Sequence, residues 1–184
     1  MRFTAAPYRI SGLLLIEGGV FPDERGYFME GFRADESRSL GLPDFVQDNL
    51  SRSVQGVVRG LHFQKPPRAQ GKLVRCLRGR IFDVAVDLRR GSPTFTQWAA
   101  VELSDAANRM FWIPAGFAHG FCTLSAEADV LYKVTDYWSA AEDAGIRWDD
   151  PDLGVAWPEP RPIVSAKDQS LPRLREADPG FSYT

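Results

Sequence analysis

The chain is predicted to be all-β, an antiparallel sandwich or barrel with a few short helices, and three observations carry that prediction. Apolar, β-branched and aromatic segments, roughly ten in all, recur at close spacing with glycine, proline and polar turn signals between them. Helical periodicity is nearly absent beyond residue 41. Residues 80–88 alternate cleanly, with Phe82, Val84, Val86 and Leu88 set against Asp83, Ala85 and Asp87. Closely spaced strands without helices between them favour a sandwich or barrel over a βαβ fold.

Taken in order, residues 9–20 hold the run Leu13-Leu14-Leu15-Ile16 followed by Gly18-Gly19, a strand ending in a turn. Residues 21–26 read as a polar turn, 27–32 as a strand, and 33–40 as a short helix closed by Gly41 and Pro43. Strands follow at 45–53, 57–64, 71–77, 80–88, 97–103, 109–113, 118–124 and 129–138. The pair 57–64 and 71–77, joined by Lys65-Pro66-Pro67-Arg68-Ala69-Gln70, reads as a hairpin-like unit carrying one histidine and one lysine among apolar neighbours. From 149 to 184 the prolines Pro151, Pro158, Pro160 and Pro162 exclude a central strand or a long helix, so this tail is expected to wrap the surface of a single domain spanning 1–184. Such a tail can still lay Ser165-Ala166-Lys167-Asp168 across an opening of the barrel.

At 184 residues, with 44% apolar and 25% charged residues, the composition is that of an ordinary globular domain. No apolar run approaches the ~18 residues of a membrane span, and no signal peptide is recognisable, so the expectation is a cytoplasmic protein without a membrane partner. A net charge of -2 offers nucleic acid no general attraction, and any bound phosphate must be met by a few placed cations. The two cysteines, Cys76 and Cys122, sit in apolar strand-like segments and read as small buried hydrophobes.

The run Pro114-Ala115-Gly116-Phe117-Ala118-His119 resembles the second motif of the cupins, small double-stranded barrels whose first motif would lie around His62, and that resemblance implies a cupin-like barrel of the jelly-roll type. Where a metal-binding cupin offers two histidines and a glutamate, this chain has His62, Gln64 and Lys72, with His119 from the second motif. An ammonium group contributes no lone pair and repels a cation, so no catalytic metal is expected and the chemistry must fall to side chains.

Pleat arithmetic places His62 on a face with Gly60 and Gln64, Lys72 with Val74 and Cys76, and Tyr132 with Val130 and Val134, all consistent with pointing inward. Each also has a plain structural reading. On strand pattern alone His62 reads first as a core histidine bonded to backbone and Tyr132 as core packing, while Lys72 reads as readily as an exposed hairpin end. By the same alternation Arg59 faces opposite to His62, so either Gly60 introduces a bulge or Arg59 acts through a neighbouring opening.

Several motifs in order shift that balance. Val58-Arg59-Gly60-Leu61-His62-Phe63-Gln64, Gln70-Gly71-Lys72-Leu73-Val74-Arg75, Phe82-Asp83-Val84-Ala85-Val86-Asp87-Leu88-Arg89, the 113–121 and 145–151 runs, Leu131-Tyr132-Lys133 and Ser165-Ala166-Lys167-Asp168 together resemble the dTDP-4-dehydrorhamnose 3,5-epimerase family, from about Leu13 to Asp168. The resemblance implies a cofactor-independent enzyme that inverts C3 and then C5 of a dTDP-linked 4-keto-6-deoxyhexose. It implies His62 as base, Asp168 as the carboxylate that orients it, Lys72 as the cation at the developing C4 oxyanion, and Tyr132 as the acid across the ring. It further implies substrate contacts from Arg25, Glu30, Gln47, Asp48, Asn49, Arg59, His119 and Lys167, with Tyr137 or Trp138 stacking on the base. A homodimer is implied as well, with the N-terminal strand and the 25–30 segment exchanged into the neighbour's site. Two rivals stand beside this reading: a relative on the same scaffold that inverts only C3 or only C5, and a non-enzymatic cupin that binds a sugar or nucleotide.

Overall fold

Among the described residues, 2–183 of the computed structural model, eleven strands form two facing antiparallel sheets and two more form a separate hairpin. Numbered in chain order, the six-stranded sheet runs β1 (Thr4–Pro7), β2 (Leu14–Glu17), β10 (Arg109–Ile113), β7 (Lys72–Arg78), β12 (Glu127–Val134), β5 (Gln47–Val54). The five-stranded sheet runs β13 (Asp143–Gly145), β6 (Val58–Gln64), β11 (Phe117–Thr123), β8 (Arg80–Asp87), β9 (Trp98–Ser104). The sheets do not close into a continuous barrel, and their inner faces enclose a core that includes Val74, Ile81, Phe111, Ile113, Phe121 and Val130. Helices are confined to α1 (Ala34–Ser39), α2 (Ala166–Gln169) and a single turn at Leu174–Glu176, in keeping with the all-β expectation.

The clean alternation at 80–88 marks a strand covered on both faces. Val84, Val86 and Leu88 point outward yet are fully buried, because Leu153, Trp157, Leu174 and Phe181 of the tail pack over them. The polar half of the pattern, Asp83 and Asp87, faces inward and is also fully buried. Covering an outer sheet face of this kind removes several large side chains from water, each worth about 1.5–3 kcal/mol. The tail is pinned by two parallel bridges, Val57 with Ile163 midway along it and Arg90 with Ser182 further on.

Several local expectations need correction. The 57–77 stretch is not a hairpin: β6 pairs with β11 and β13, β7 pairs with β10 and β12, and the connection crosses from one sheet to the other. Pro66 and Pro67 lack the donors a tight two-strand ladder would need there. The turn expected at 21–26 is a small hairpin, β3 (Phe21–Asp23) with β4 (Gly26–Phe28), whose reversal is held by Asp23 Oδ1 accepting from the Arg25 N–H at 2.8 Å. The strand expected to 138 stops at Val134, where Thr135 turns to accept a hydrogen bond from the Gly71 N–H.

The register of β6 on β11 matters most for the site. His62 lies opposite His119, but Arg59 lies opposite Phe121, so Gly60 and Leu61 together face the single residue Gly120. This bulge resets the alternation and turns Arg59 to the same side as His62, which settles the two options that sequence alone left open. Gly60 has φ +140, and a Cβ built there would lie 2.7 Å from the Gly120 Cα, so only glycine fits.

Candidate active site

A cavity of about 280 Å³ opens between the sheets and collects side chains from both. From the five-stranded sheet come Arg59, His62, Phe63, Gln64, His119 and Phe121; from the six-stranded sheet come Gln47, Asn49, Ser51, Lys72 and Tyr132. Gln70, Trp138, Asp143 and Lys167 complete the lining.

His62 stands on β6, and its Nε2 lies 2.7 Å from Asp168 Oδ1. Asp168 is delivered by α2, whose cap Ser165 accepts a hydrogen bond from the Asp168 N–H at 3.1 Å, and its second oxygen accepts from the Gly60 N–H at 3.2 Å. Burial alone would push the Asp168 carboxyl up, but the hydrogen bonds with His62, Gly60 and Ser165 outweigh it and hold the group below its ordinary value. An ionised Asp168 assigns the hydrogen to His62 Nε2 and leaves the lone pair on Nδ1. The side chain of His62 is 32% exposed, so this imidazole is open to a ligand.

The opposite wall carries Lys72 and Tyr132. Lys72 is buried, with Nζ donating to the His62 carbonyl at 3.2 Å and lying 5.9 Å from the centre of the Tyr132 ring. Burial lowers its pKa to about 8, against the opposing pull of Asp83 and Asp143. Tyr132 is half-buried and its hydroxyl is raised above the ordinary value by burial, with Arg59 opposing and Asp143 adding to the shift.

Behind this front lies a second histidine–carboxylate pair. His119 Nε2 is 2.8 Å from Asp83 Oδ1, both side chains being almost wholly buried. Burial pushes Asp83 up and His119 down; Lys72 favours the charged form of Asp83 and disfavours that of His119, so the imidazole is the partner that stays neutral and donates. Asp83 Oδ2 has no hydrogen-bond partner among the described residues, which leaves the charge of Lys72 to compensate it.

Not every expected binding residue reaches this cavity. Gln47, Asn49, Arg59, His119, Trp138 and Lys167 line it, whereas Asp48, Tyr137, Arg25 and Glu30 do not. Asp48 points to the other face of β5 and pairs with Lys133 at 2.8 Å, as strict alternation between Gln47 and Asn49 requires. Trp138 borders the cavity and Tyr137 does not, although both residues are largely exposed. Arg25 sits on the β3–β4 hairpin, 85% exposed and paired with Asp23, and Glu30 faces Arg33 at 3.6 Å. Lys167 is held by Asp143 Oδ2 at 2.5 Å across the mouth.

Five lining residues, Ser51, Phe63, Gln70, Phe121 and Asp143, together with Asp83 behind them, carry no role assigned from the sequence. Asp83 alone had a usable signal, a carboxylate in mid-strand where aspartate is disfavoured. Chemically, the cavity sets a carboxylate-bound imidazole on one sheet against a phenol on the other, with a buried ammonium between them and cations at the rim. That arrangement can move a proton from one face of a substrate to the other and hold an oxyanion meanwhile.

Comparison with known proteins points the same way. A family model described as dTDP-4-dehydrorhamnose 3,5-epimerase matches residues 7–176. The dTDP-4-dehydrorhamnose 3,5-epimerase of Methanothermobacter thermautotrophicus is 53% identical over 171 residues, 91% of this chain and 92% of its own length. That of Sinorhizobium fredii is 51% identical over 177 residues, 95% of this chain and 91% of its own. The crystal structure of dTDP-6-deoxy-D-glucose-3,5-epimerase from Legionella pneumophila, in complex with dTDP-4-keto-L-rhamnose, superposes with a TM-score of 0.94 at 46% identity and covers 100% of both chains.

Proposed function

Because the chain belongs to the dTDP-4-dehydrorhamnose 3,5-epimerase family, we propose that the work of its cavity is divided among His62, Asp168, Lys72 and Tyr132 as follows. The reaction is an isomerisation: dTDP-4-dehydro-6-deoxy-D-glucose is inverted at C3 and C5 to dTDP-4-dehydro-L-rhamnose. A proton must leave a carbon beside the C4 ketone, the C4 oxygen must carry the resulting charge, and a proton must return to the opposite face of the ring.

His62 Nδ1 takes the proton, and Asp168 steadies the imidazolium that forms. The electron pair of the broken C–H bond moves into the enolate, whose oxygen is met by the ammonium of Lys72; a preorganised charge of this kind typically lowers the barrier by about 3–4 kcal/mol. Tyr132 gives its proton to the other face of the same carbon, and exchange with solvent resets both groups for the second carbon. The observation that carries this reading is the position of Lys72, whose Nζ reaches the His62 carbonyl at 3.2 Å from the sheet that also bears Tyr132. With an ammonium where a cupin metal ligand would stand, the route uses side chains alone.

Gln47, Asn49 and Trp138 suit the nucleotide base, and Arg59, Lys167 and His119 suit the diphosphate and sugar. We read the active form as a cytoplasmic homodimer. Cys76 and Cys122 are both free and buried, which fits a reducing compartment. The β3–β4 hairpin exposes Phe21, Tyr27 and Phe28, an apolar surface that calls for a partner, and we assign Arg25 and Glu30 to the pocket of that partner. In D₂O with dTDP-4-keto-6-deoxyglucose, deuterium should enter both C3 and C5. Label at one carbon only would establish a single-site epimerase, and no label at either would overturn the enzymatic reading.

A further inference from the structure

We infer that Gln64 is a positioning residue that brackets the Trp138 segment and thereby sets nucleotide affinity, an inference that rests on the dTDP-sugar reading above. Gln64 ends β6, two residues after His62, and is 3% exposed. All of its side-chain hydrogen bonds go to backbone outside the sheets. Its Nε2 donates to the Arg68 carbonyl at 2.7 Å and the Tyr137 carbonyl at 3.2 Å, and its Oε1 accepts from the Ser139 N–H at 2.6 Å. Tyr137 and Ser139 flank Trp138, whose own N–H donates to Gln47 Oε1 at 3.0 Å.

The backbone around Trp138 is therefore held by two amides from different sheets, Gln47 on β5 and Gln64 on β6. The segment belongs to no strand, and the indole is 58% exposed, so packing does little to fix its plane. Other ties hold the segment as well: Arg68 to Asp136, Gln70 to the Asp136 carbonyl, the Asp143 N–H to the Ser139 carbonyl and Ser139 Oγ to Glu142. Among these side chains Gln64 is the one that is almost wholly buried, and removing a buried amide strands the groups it satisfied. Where a metal-binding cupin would place a ligand, this chain uses the position as a clamp. Its effect falls on the stacking face for the base and not on the proton path, which runs through His62 and Tyr132.

The test compares dTDP binding by calorimetry, and turnover, in wild type, Gln64→Leu, Trp138→Ala and the double variant. Gln64→Leu should weaken dTDP and raise KM by about ten-fold or more, with kcat shifted far less. A 4-keto-6-deoxyhexose 1-phosphate, which lacks the base, should not register the change. In the Trp138→Ala background the Gln64 substitution should cost less than about three-fold, because the surface it positions is gone. Isosteric Gln64→Glu keeps the acceptor for Ser139 but loses both donors; it should act in the same direction and serves if the leucine variant does not fold. Unchanged dTDP affinity in either folded variant, equal losses with and without the base, or full additivity with Trp138→Ala would each overturn the role of Gln64. Failure of wild type to bind dTDP would instead sink the substrate reading itself, and the inference with it.

Discussion

His62 and His119 face each other as partners on adjacent strands, and each turns its Nε2 to a different aspartate, Asp168 at 2.7 Å and Asp83 at 2.8 Å. Equivalent chemistry in the two pairs is split by burial. The His62 side chain keeps 32% of its surface and can reach a ligand, whereas His119 keeps 6% and stays neutral under the desolvation that lowers it. One imidazole is thus free to take a proton, and the other is fixed as a donor beneath it.

His62→Asn should therefore abolish deuterium exchange at both C3 and C5 while leaving dTDP affinity within about two-fold. Asp168→Asn should lower kcat by about 10²–10⁴-fold by releasing the tautomer, with the imidazole still in place. Exchange kinetics by NMR check both, and persistent turnover in His62→Asn would remove it as the base.

Tyr132→Phe should spare proton removal and impair inversion. Exchange at C3 without net epimerisation is the expected signature, read by following label and stereochemistry together. Equal loss of both would mean that the acid on the second face lies elsewhere.

Lys72 sets an alkaline limit. Burial lowers its pKa to about 8, so the ammonium is lost above that pH, and on the role proposed for it kcat/KM should fall about ten-fold per unit beyond ~8. The sign for stability is opposite. The unfolded lysine, with the ordinary lysine value of 10.5, binds a proton more tightly than the folded one, so stability contributed at this site is full above 10.5 and is lost as pH falls to about 8. Lys72→Met should then be inactive yet more stable at pH 7, by about 1–3 kcal/mol after allowance for the now unbalanced Asp83, and the gain should fade between those two pH values. Denaturant melts at pH 7 and pH 10 provide the check.

Arg25 tests the dimer. Arg25→Ala and His62→Asn should each be inactive alone, and co-refolding them in equal amounts should restore about a quarter of wild-type activity, since one site in each mixed dimer is intact. No recovery would place Arg25 outside a shared site.

Most of the fold was legible because a buried strand writes its pleat into the chain, and 80–88 or 109–113 could hardly form anything else. The short elements were not. β13 has three residues and α2 four, too few for a period to show, and both are held by contacts made only after the sheets assemble. Within the site, the sequence alone determined which chemical groups were present: a base, a cation, a phenol and carboxylates at positions that match a family order. Tertiary structure decided their relations. The bulge at Gly60 turned Arg59 inward, because two glycine backbones meet where a side chain would clash. The crossing from β6 to β7 set Lys72 across from His62 instead of beside it, and the buried inner face of β8 made Asp83 a partner of His119. Alternation names the two faces of a strand, but only packing against the other sheet and the tail determines which of them meets the cavity.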